Sequence, residues 1–361
     1  MDQLEEARKI ISEVDDEMAS LFVRRMRAVE QVAAYKQAHG LPVLDAAREE
    51  QVLRRGADRV EDEALRAYYV NFIRKNMELS RDYQDKLLKG MRVAYCGTEG
   101  AFAHIATGKL FPTAERVAYG DFVSAYRAVE KGECDAAVLP VENSYNGEVG
   151  QVTDLMFSGS LYVNAMLDLA VSHDLLVPSG TSREQIKTVI SHPQALGQCA
   201  EYIRRHGWTT QEYTNTALAA RYVAEANDPG LAAIASEEAA QVFGLEVMER
   251  NINASRSNTT RFAVFSRAQE INEKPRHGET FIMVFTVKNE AGALARAIDV
   301  IGYHGFNMRN LRSRPMKELL WQYYFYVEAE GNIHTDAGKD MLAQLESFCD
   351  HLKIVGTYVN A

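Results

Sequence analysis

Residues 4–38 contain no glycine and no proline, and no other feature narrows so far what the chain can fold into. Apolar side chains at Leu4, Ala7, Ile10, Ile11, Val14, Met18, Leu21, Phe22, Val29, Val32 and Ala33 recur at three- and four-residue spacing. That is the period of one helix face. Gly40 and Pro42 then stop it. Such a stretch makes about 50 Å of helix. This is too long for the core of the first ninety residues alone, so the spacing predicts a helix that pairs with a second chain. Further helices over 45–56 and 61–89 make the first region all-helical.

The pattern changes at Met91. Arg92–Cys96 reads as a strand, followed by a Gly-Thr-Glu-Gly loop and a helical stretch to Leu110. Short apolar runs at 136–141, 189–190, 231–235 and 261–265 alternate with helical segments. This alternation predicts an α/β region with parallel sheet, long enough for two lobes around a cleft. A polar stretch from Ala268 to Glu279, holding Pro275 and Gly278, reads as a linker. Strand, helix, two strands, helix and strand then follow over 280–358, an α+β, ferredoxin-like order. The expected division is 1–90, 91–278 and 279–361.

Charge excludes some functions. The chain of 361 residues carries a formal net charge of −10, which argues against nucleic acid as a partner. A small anionic substrate needs only a local basic cluster. No stretch has the length of a membrane span, and the acidic N-terminus is unlike a signal peptide. Cys96, Cys134, Cys199 and Cys349 are scattered without a C-x-x-C. Reduced cysteines in a cytoplasmic protein are expected, with neither zinc site nor disulfide framework.

Arg25 and Lys36 are eleven residues apart on the first helix, three turns plus about 20°, so they share its apolar face. Snorkelling cations at a seam would look the same. Asp45, Arg48 and Glu49 share a face of the second helix, as an ordinary surface charge cluster also would. Ser80 and Gln84 share a face of the third. In the α/β region, Glu142-Asn143-Ser144 follows a buried strand, where open α/β sheets bind ligands. Asn258-Thr259-Thr260-Arg261-Phe262 begins another strand, and Ser191-His192-Pro193 precedes Gln198. Gly292-Ala293-Leu294 opens a helix, and Ser313-Arg314-Pro315 ends a strand. His104 and His192 read as buried or capping histidines.

Arg8, Arg25, Lys36, Asp45, Arg48, Glu49, Ser80 and Gln84, in this order, resemble the site of the all-helical chorismate mutase family. The resemblance implies two chains intertwined through the first helix and a pericyclic rearrangement of chorismate to prephenate. Such a reaction needs a held conformer and charge stabilisation rather than a nucleophile. It implies Arg8, Arg25 and Arg48 on carboxylates, Lys36 and Gln84 on the ether oxygen, and Glu49 with Asp45 at the ring hydroxyl, with Ser80 a lesser contact. Arg8 lies about 42 Å along the helix from Lys36, so the resemblance implies that it comes from the partner chain.

The Glu-Asn-Ser and Thr-Arg-Phe segments resemble prephenate dehydratase. That family's two lobes are like a type 2 periplasmic binding protein, with the site in the cleft. The resemblance implies loss of water and carbon dioxide from prephenate, giving phenylpyruvate. Thr260 is the implied proton donor. Glu142, Asn143, Ser144, Ser191 and Gln198 are implied to line the cleft, and Arg261 to hold a carboxylate. The C-terminal segments resemble the ACT regulatory domain, which implies a phenylalanine pocket from Gly292, Ala293, Leu294, Ser313, Arg314 and Pro315. Arg312 stands where that family usually has glutamate, which weakens the expectation of feedback. The three matches together resemble the bifunctional chorismate mutase–prephenate dehydratases and imply a homo-oligomer, with no cofactor. A dehydratase with a weak mutase, one acting on arogenate, and a non-enzymatic amino-acid sensor are the rival readings.

Overall fold

A computed structural model describes residues 3–253, 258–271, 276–316 and 321–359. It has two compact units, Met1–Met91 and Arg92–Ala361. The first contains α1 (Gln3–His39), α2 (Ala46–Ala57) and α3 (Glu63–Lys89). The side chains of Asp45 and Asp62 accept the Arg48 and Ala64 backbone N–H groups, so each begins its helix as an N-cap. Ala33 is the one buried residue of α1. Ile10, Ile11, Val14, Met18, Leu21 and Phe22 on that helix are all 42–60% exposed.

In the second unit β1 (Arg92–Cys96), α4 (Phe102–Leu110), β2 (Glu115–Tyr119), α5 (Phe122–Glu130), β3 (Ala136–Asn143), β4 (Gly147–Glu148), α6 (Gly150–Ser158) and β5 (Tyr162–Ala170) form one lobe. A second lobe follows with β6 (Asp174–Val177), β7 (Thr188–Ser191), α7 (Pro193–Gln198), α8 (Ala200–His206), β8 (Thr209–Glu212), α9 (Thr216–Ala226), β9 (Leu231–Ala235), α10 (Glu237–Phe243) and β10 (Glu246–Glu249). Its sheet runs β10-β6-β9-β7-β8, with apolar layers on both faces. The chain returns through β11 (Thr259–Ser266), which lies antiparallel between β3 and β5 in the first lobe. The two crossovers are bonded together: Val171 N donates to Asn258 O at 2.8 Å, and Ile252 N to His173 O at 2.8 Å.

The last region has the expected order: β12 (Thr280–Thr286), α11 (Ala293–Tyr303), β13 (Asn307–Pro315), β14 (Tyr323–Glu330), α12 (Asp336–Glu346) and β15 (His351–Tyr358). Its strands lie in the sequence β13-β14-β12-β15. It is not a separate body. β15 pairs in parallel with β5 at Gly356 and Val163, so one ten-stranded sheet runs through both regions. Ile282, Val284, Tyr324, Tyr326, Val355 and Tyr358 share a core with the first lobe. The opposite face, with Phe281, Met283 and Phe285, packs under α11 and α12. Of the expected linker, Pro275 lies outside the described residues. All four cysteines are free. Among the described residues no helix is long and apolar enough to cross a membrane.

Candidate active sites

In the helical unit α1 and α3 run the same way, because Arg25 meets Ser80 while Tyr83 reaches Glu30 farther along. Arg25 Nη1 donates to Ser80 Oγ and, at 3.2 Å, to Asn76 O. Partial burial lowers its pKa from the ordinary arginine value. Gln84 stands one turn beyond Ser80; these side chains are only 6% and 5% exposed. Gln84 Oε1 is buried with no hydrogen-bond partner. Glu49 pairs with Arg81, which sequence reasoning did not single out. Lys36 Nζ donates to Val43 O, and Arg48 donates to Gln51 Oε1 at 2.6 Å. Asp45 is occupied as the α2 cap at 2.9 Å. Arg8 is exposed near the free end of α1, about 25 Å along the helix from Arg25. Within one chain, hydrogen bonds connect Arg25, Ser80 and Gln84, and Glu49 reaches α3 through Arg81.

In the second unit a cavity of about 480 Å³ lies between the lobes. It is lined by Asn143, Thr260, Asn258, Gln198, His173 and Glu148, among others. The register places Thr260 opposite Asn143 and Arg261 opposite Glu142. Successive strand residues face opposite ways, so Asn143 and Thr260 turn into the cavity together. Asn143 Nδ2 donates to Thr260 Oγ1 at 2.9 Å. The threonine oxygen is thereby an acceptor, and its own O–H remains for a ligand. Asn143 Oδ1 accepts the backbone N–H groups of Tyr145 and Asn146 at 3.0 and 2.9 Å, which fixes the amide.

The same alternation corrects two expectations. Glu142 and Arg261 point to the other side of the sheet, away from the cavity. Glu142 pairs with Arg312. Arg261 donates to Asp168 at 2.9 Å and lies 3.3 Å from Glu328, contacts that raise its pKa. Ser191 is also misplaced by the sequence reading: it is fully buried and donates to Ile234 O at 2.6 Å. Ser144 ties β3 to β11, its Oγ accepting Thr259 N–H at 3.0 Å. His192 lines the cavity and caps α7; His104 is buried and accepts Gly100 N–H at 3.2 Å. Among the described residues, no lysine or arginine lines the cavity. Helices α4, α6 and α9 begin at its wall, and helix starts favour anions.

The C-terminal candidates divide between two faces. β13 shifts register between Met308 and Asn310, and beyond the shift Ser313 lies opposite Phe325 and Arg314 opposite Tyr324. Phe325 belongs to the layer under α11, together with Leu294. Ser313 and Pro315 therefore face the side where Gly292 and Ala293 begin that helix. Arg314 faces the first lobe instead, donating to Asp154 at 2.9 Å and approaching Glu148 at 3.4 Å. Arg312 faces the same way, so neither arginine lies with Gly292–Leu294.

A family model described as chorismate mutase type II matches residues 7–85, and one described as prephenate dehydratase matches residues 93–270. A bifunctional chorismate mutase/prephenate dehydratase of Enterobacter agglomerans is 31% identical, the match covering 96% of this chain and 94% of that one. The crystal structure of prephenate dehydratase from Arthrobacter aurescens in complex with L-Phe superposes with a TM-score of 0.69 at 26% identity, covering 75% of this chain and 90% of that one. A structure described as a novel type of quorum-quenching acylase gives 0.70 at 28%, covering 75% and 98%. With a curated relative matched over nearly its whole length, the chain belongs to the family of bifunctional chorismate mutase/prephenate dehydratases.

Proposed function

We propose that the helical unit rearranges chorismate to prephenate and that the cleft converts prephenate to phenylpyruvate. The observation that carries the second step is the Asn143–Thr260 contact inside the cavity, which leaves the threonine proton for a ligand. In the first step no bond to the protein forms. Arg25, Arg48 and a partner's Arg8 would hold two carboxylates by forked hydrogen bonds. Lys36 and Gln84 would meet the ether oxygen as charge develops on it. Of the Gln84 amide it is Nε2, now donating to Ser80 O at 3.2 Å, that would turn to the ether oxygen.

In the second step the ring C–O bond breaks and the hydroxyl leaves as water, taking a proton from Thr260. The ring carboxylate leaves as carbon dioxide, and the electron pair of its C–C bond completes the aromatic ring. Thr260 regains its proton from solvent. Neutral donors and helix starts would hold the substrate's charges. The βαββαβ module would be an ACT domain taking phenylalanine on the face of Gly292, Ala293, Leu294 and Ser313. A homodimer through α1 would complete the mutase site.

Purified protein given chorismate should accumulate phenylpyruvate. Thr260→Ala should stop at prephenate, and Lys36→Ala should leave chorismate unconverted. Wild-type protein that forms no phenylpyruvate from prephenate would refute the dehydratase reading. Turnover of arogenate in preference to prephenate would favour that rival.

A further inference from the structure

Behind Asn143 stand side chains to which the reaction scheme gives no role. Asn258 Oδ1 accepts from Asn143 Nδ2 at 2.8 Å. Asn258 Nδ2 donates to Gln198 Oε1 at 2.9 Å. The same Gln198 oxygen lies 2.8 Å from His173 Nε2. An amide oxygen only accepts, so His173 carries its proton on Nε2 and leaves Nδ1 bare. Nδ1 is then an acceptor, buried and without a partner among the described residues. His173 is 4% exposed. The result is one continuous chain, His173–Gln198–Asn258–Asn143–Thr260.

This chain crosses the floor of the cleft. Asn143 and Thr260 belong to the first lobe and Gln198 ends α7 of the second. His173 and Asn258 lie on the two crossovers between the lobes. The Asn258–Gln198 bond therefore holds only while the lobes keep this spacing. Asn143 Nδ2 has two protons and three acceptors within reach, the third being Thr259 O at 3.2 Å. Asn258 Oδ1, the nearest of the three, competes with that carbonyl for one proton and so helps to direct the other at Thr260 Oγ1.

We propose that Asn258 and His173 are positioning residues of the dehydratase, which orient Asn143, and through it the Thr260 hydroxyl, when the lobes are closed. The proposal rests on Thr260 as proton donor. Small misplacement of a reacting group costs rate more than affinity, because the binding contacts survive.

The test is steady-state kinetics of the full chain on prephenate. Asn258→Ala should lower kcat about 10–100-fold with KM within about threefold. His173→Ala should lower kcat less, and His173→Gln, which retains a donor, should restore most of it. The double variant Asn258→Ala/His173→Ala should be no slower than Asn258→Ala alone, since both act through one chain. The pH profile of kcat should keep its wild-type shape in His173→Gln. Unchanged kcat in Asn258→Ala, a loss confined to KM, multiplied losses in the double variant, or an acid limb missing from His173→Gln would each overturn the proposal. Should Asn258→Ala be too unstable to assay, Asn258→Asp replaces it. That variant keeps the acceptor for Asn143 and lacks the donor to Gln198, so its kcat should fall and wild-type kcat would overturn the proposal. An active Thr260→Ala enzyme would instead refute the role of Thr260.

Discussion

Burial lowers the pKa values of His104 and His173 from the ordinary histidine value. Between the lowered values and about pH 6.5 the unfolded chain binds protons that the folded chain refuses. The stability this confers is present above that window and is lost as pH falls through it. Both tryptophans, Trp208 and Trp321, lie in the second unit, so their fluorescence reports its unfolding. Urea midpoints should be lower at pH 5.5 than at pH 7.5, and His173→Gln should narrow the difference. An undiminished difference in that variant would assign the acid sensitivity elsewhere. At this scale the sequence motif named Asn143 and Thr260 but could not say which neighbours share their face. Glu142 and Arg261 were lost to strand alternation, which a motif does not display. Asn258 could have been found, because it stands two residues before Thr260 and so on the same face. His173 left no signal, since its role exists only through Gln198, brought to it by folding.

Among elements, α1 is the one whose length was legible and whose support was not. The absence of glycine and proline is enough to read a helix over 4–38, and the structure's helix runs Gln3–His39. Its apolar face stays exposed within one chain, which is the property expected of a helix seated on a second copy. If Arg8 completes the partner's site, Arg8→Ala and Lys36→Ala chains are each inactive as mutases but complement each other. A heterodimer then has one site with both residues and one with neither. Unfolding and refolding an equal mixture should restore about a quarter of wild-type mutase activity for random pairing in a two-fold dimer. No recovery, in a mixture shown to exchange chains, would mean that Arg8 acts within its own chain or not at all. β13 shows the opposite balance. Its Ser-Arg-Pro segment is legible in the sequence, and strand alternation separates Ser313 from Arg314; the register shift after Met308 decides which of them faces α11, and no residue there announces it.

Across the whole molecule, the expected boundary near residue 278 marks a change in topology rather than a break in packing. β15 joins β5 at Gly356, where an added Cβ would collide with the Val163 carbonyl. Arg314 lies so close to Gly150, the first residue of α6, that a side chain there would meet the guanidinium. Arg312 holds Glu142, the neighbour of Asn143. A ligand on the far face of the C-terminal module would therefore reach the cleft through this seam, and coupling requires two sites joined by an element that both can bias. The charge reversal at Arg312 then acts on the seam more than on the pocket. Gly356→Ala should open the seam, because backbone on the facing strand cannot yield as a flexible side chain could. Expected are earlier tryptophan unfolding, faster proteolysis around residue 278 and dehydratase activity that phenylalanine no longer alters, with mutase activity retained. If the variant instead keeps wild-type stability and a wild-type phenylalanine titration, the continuous sheet is not the path between pocket and cleft.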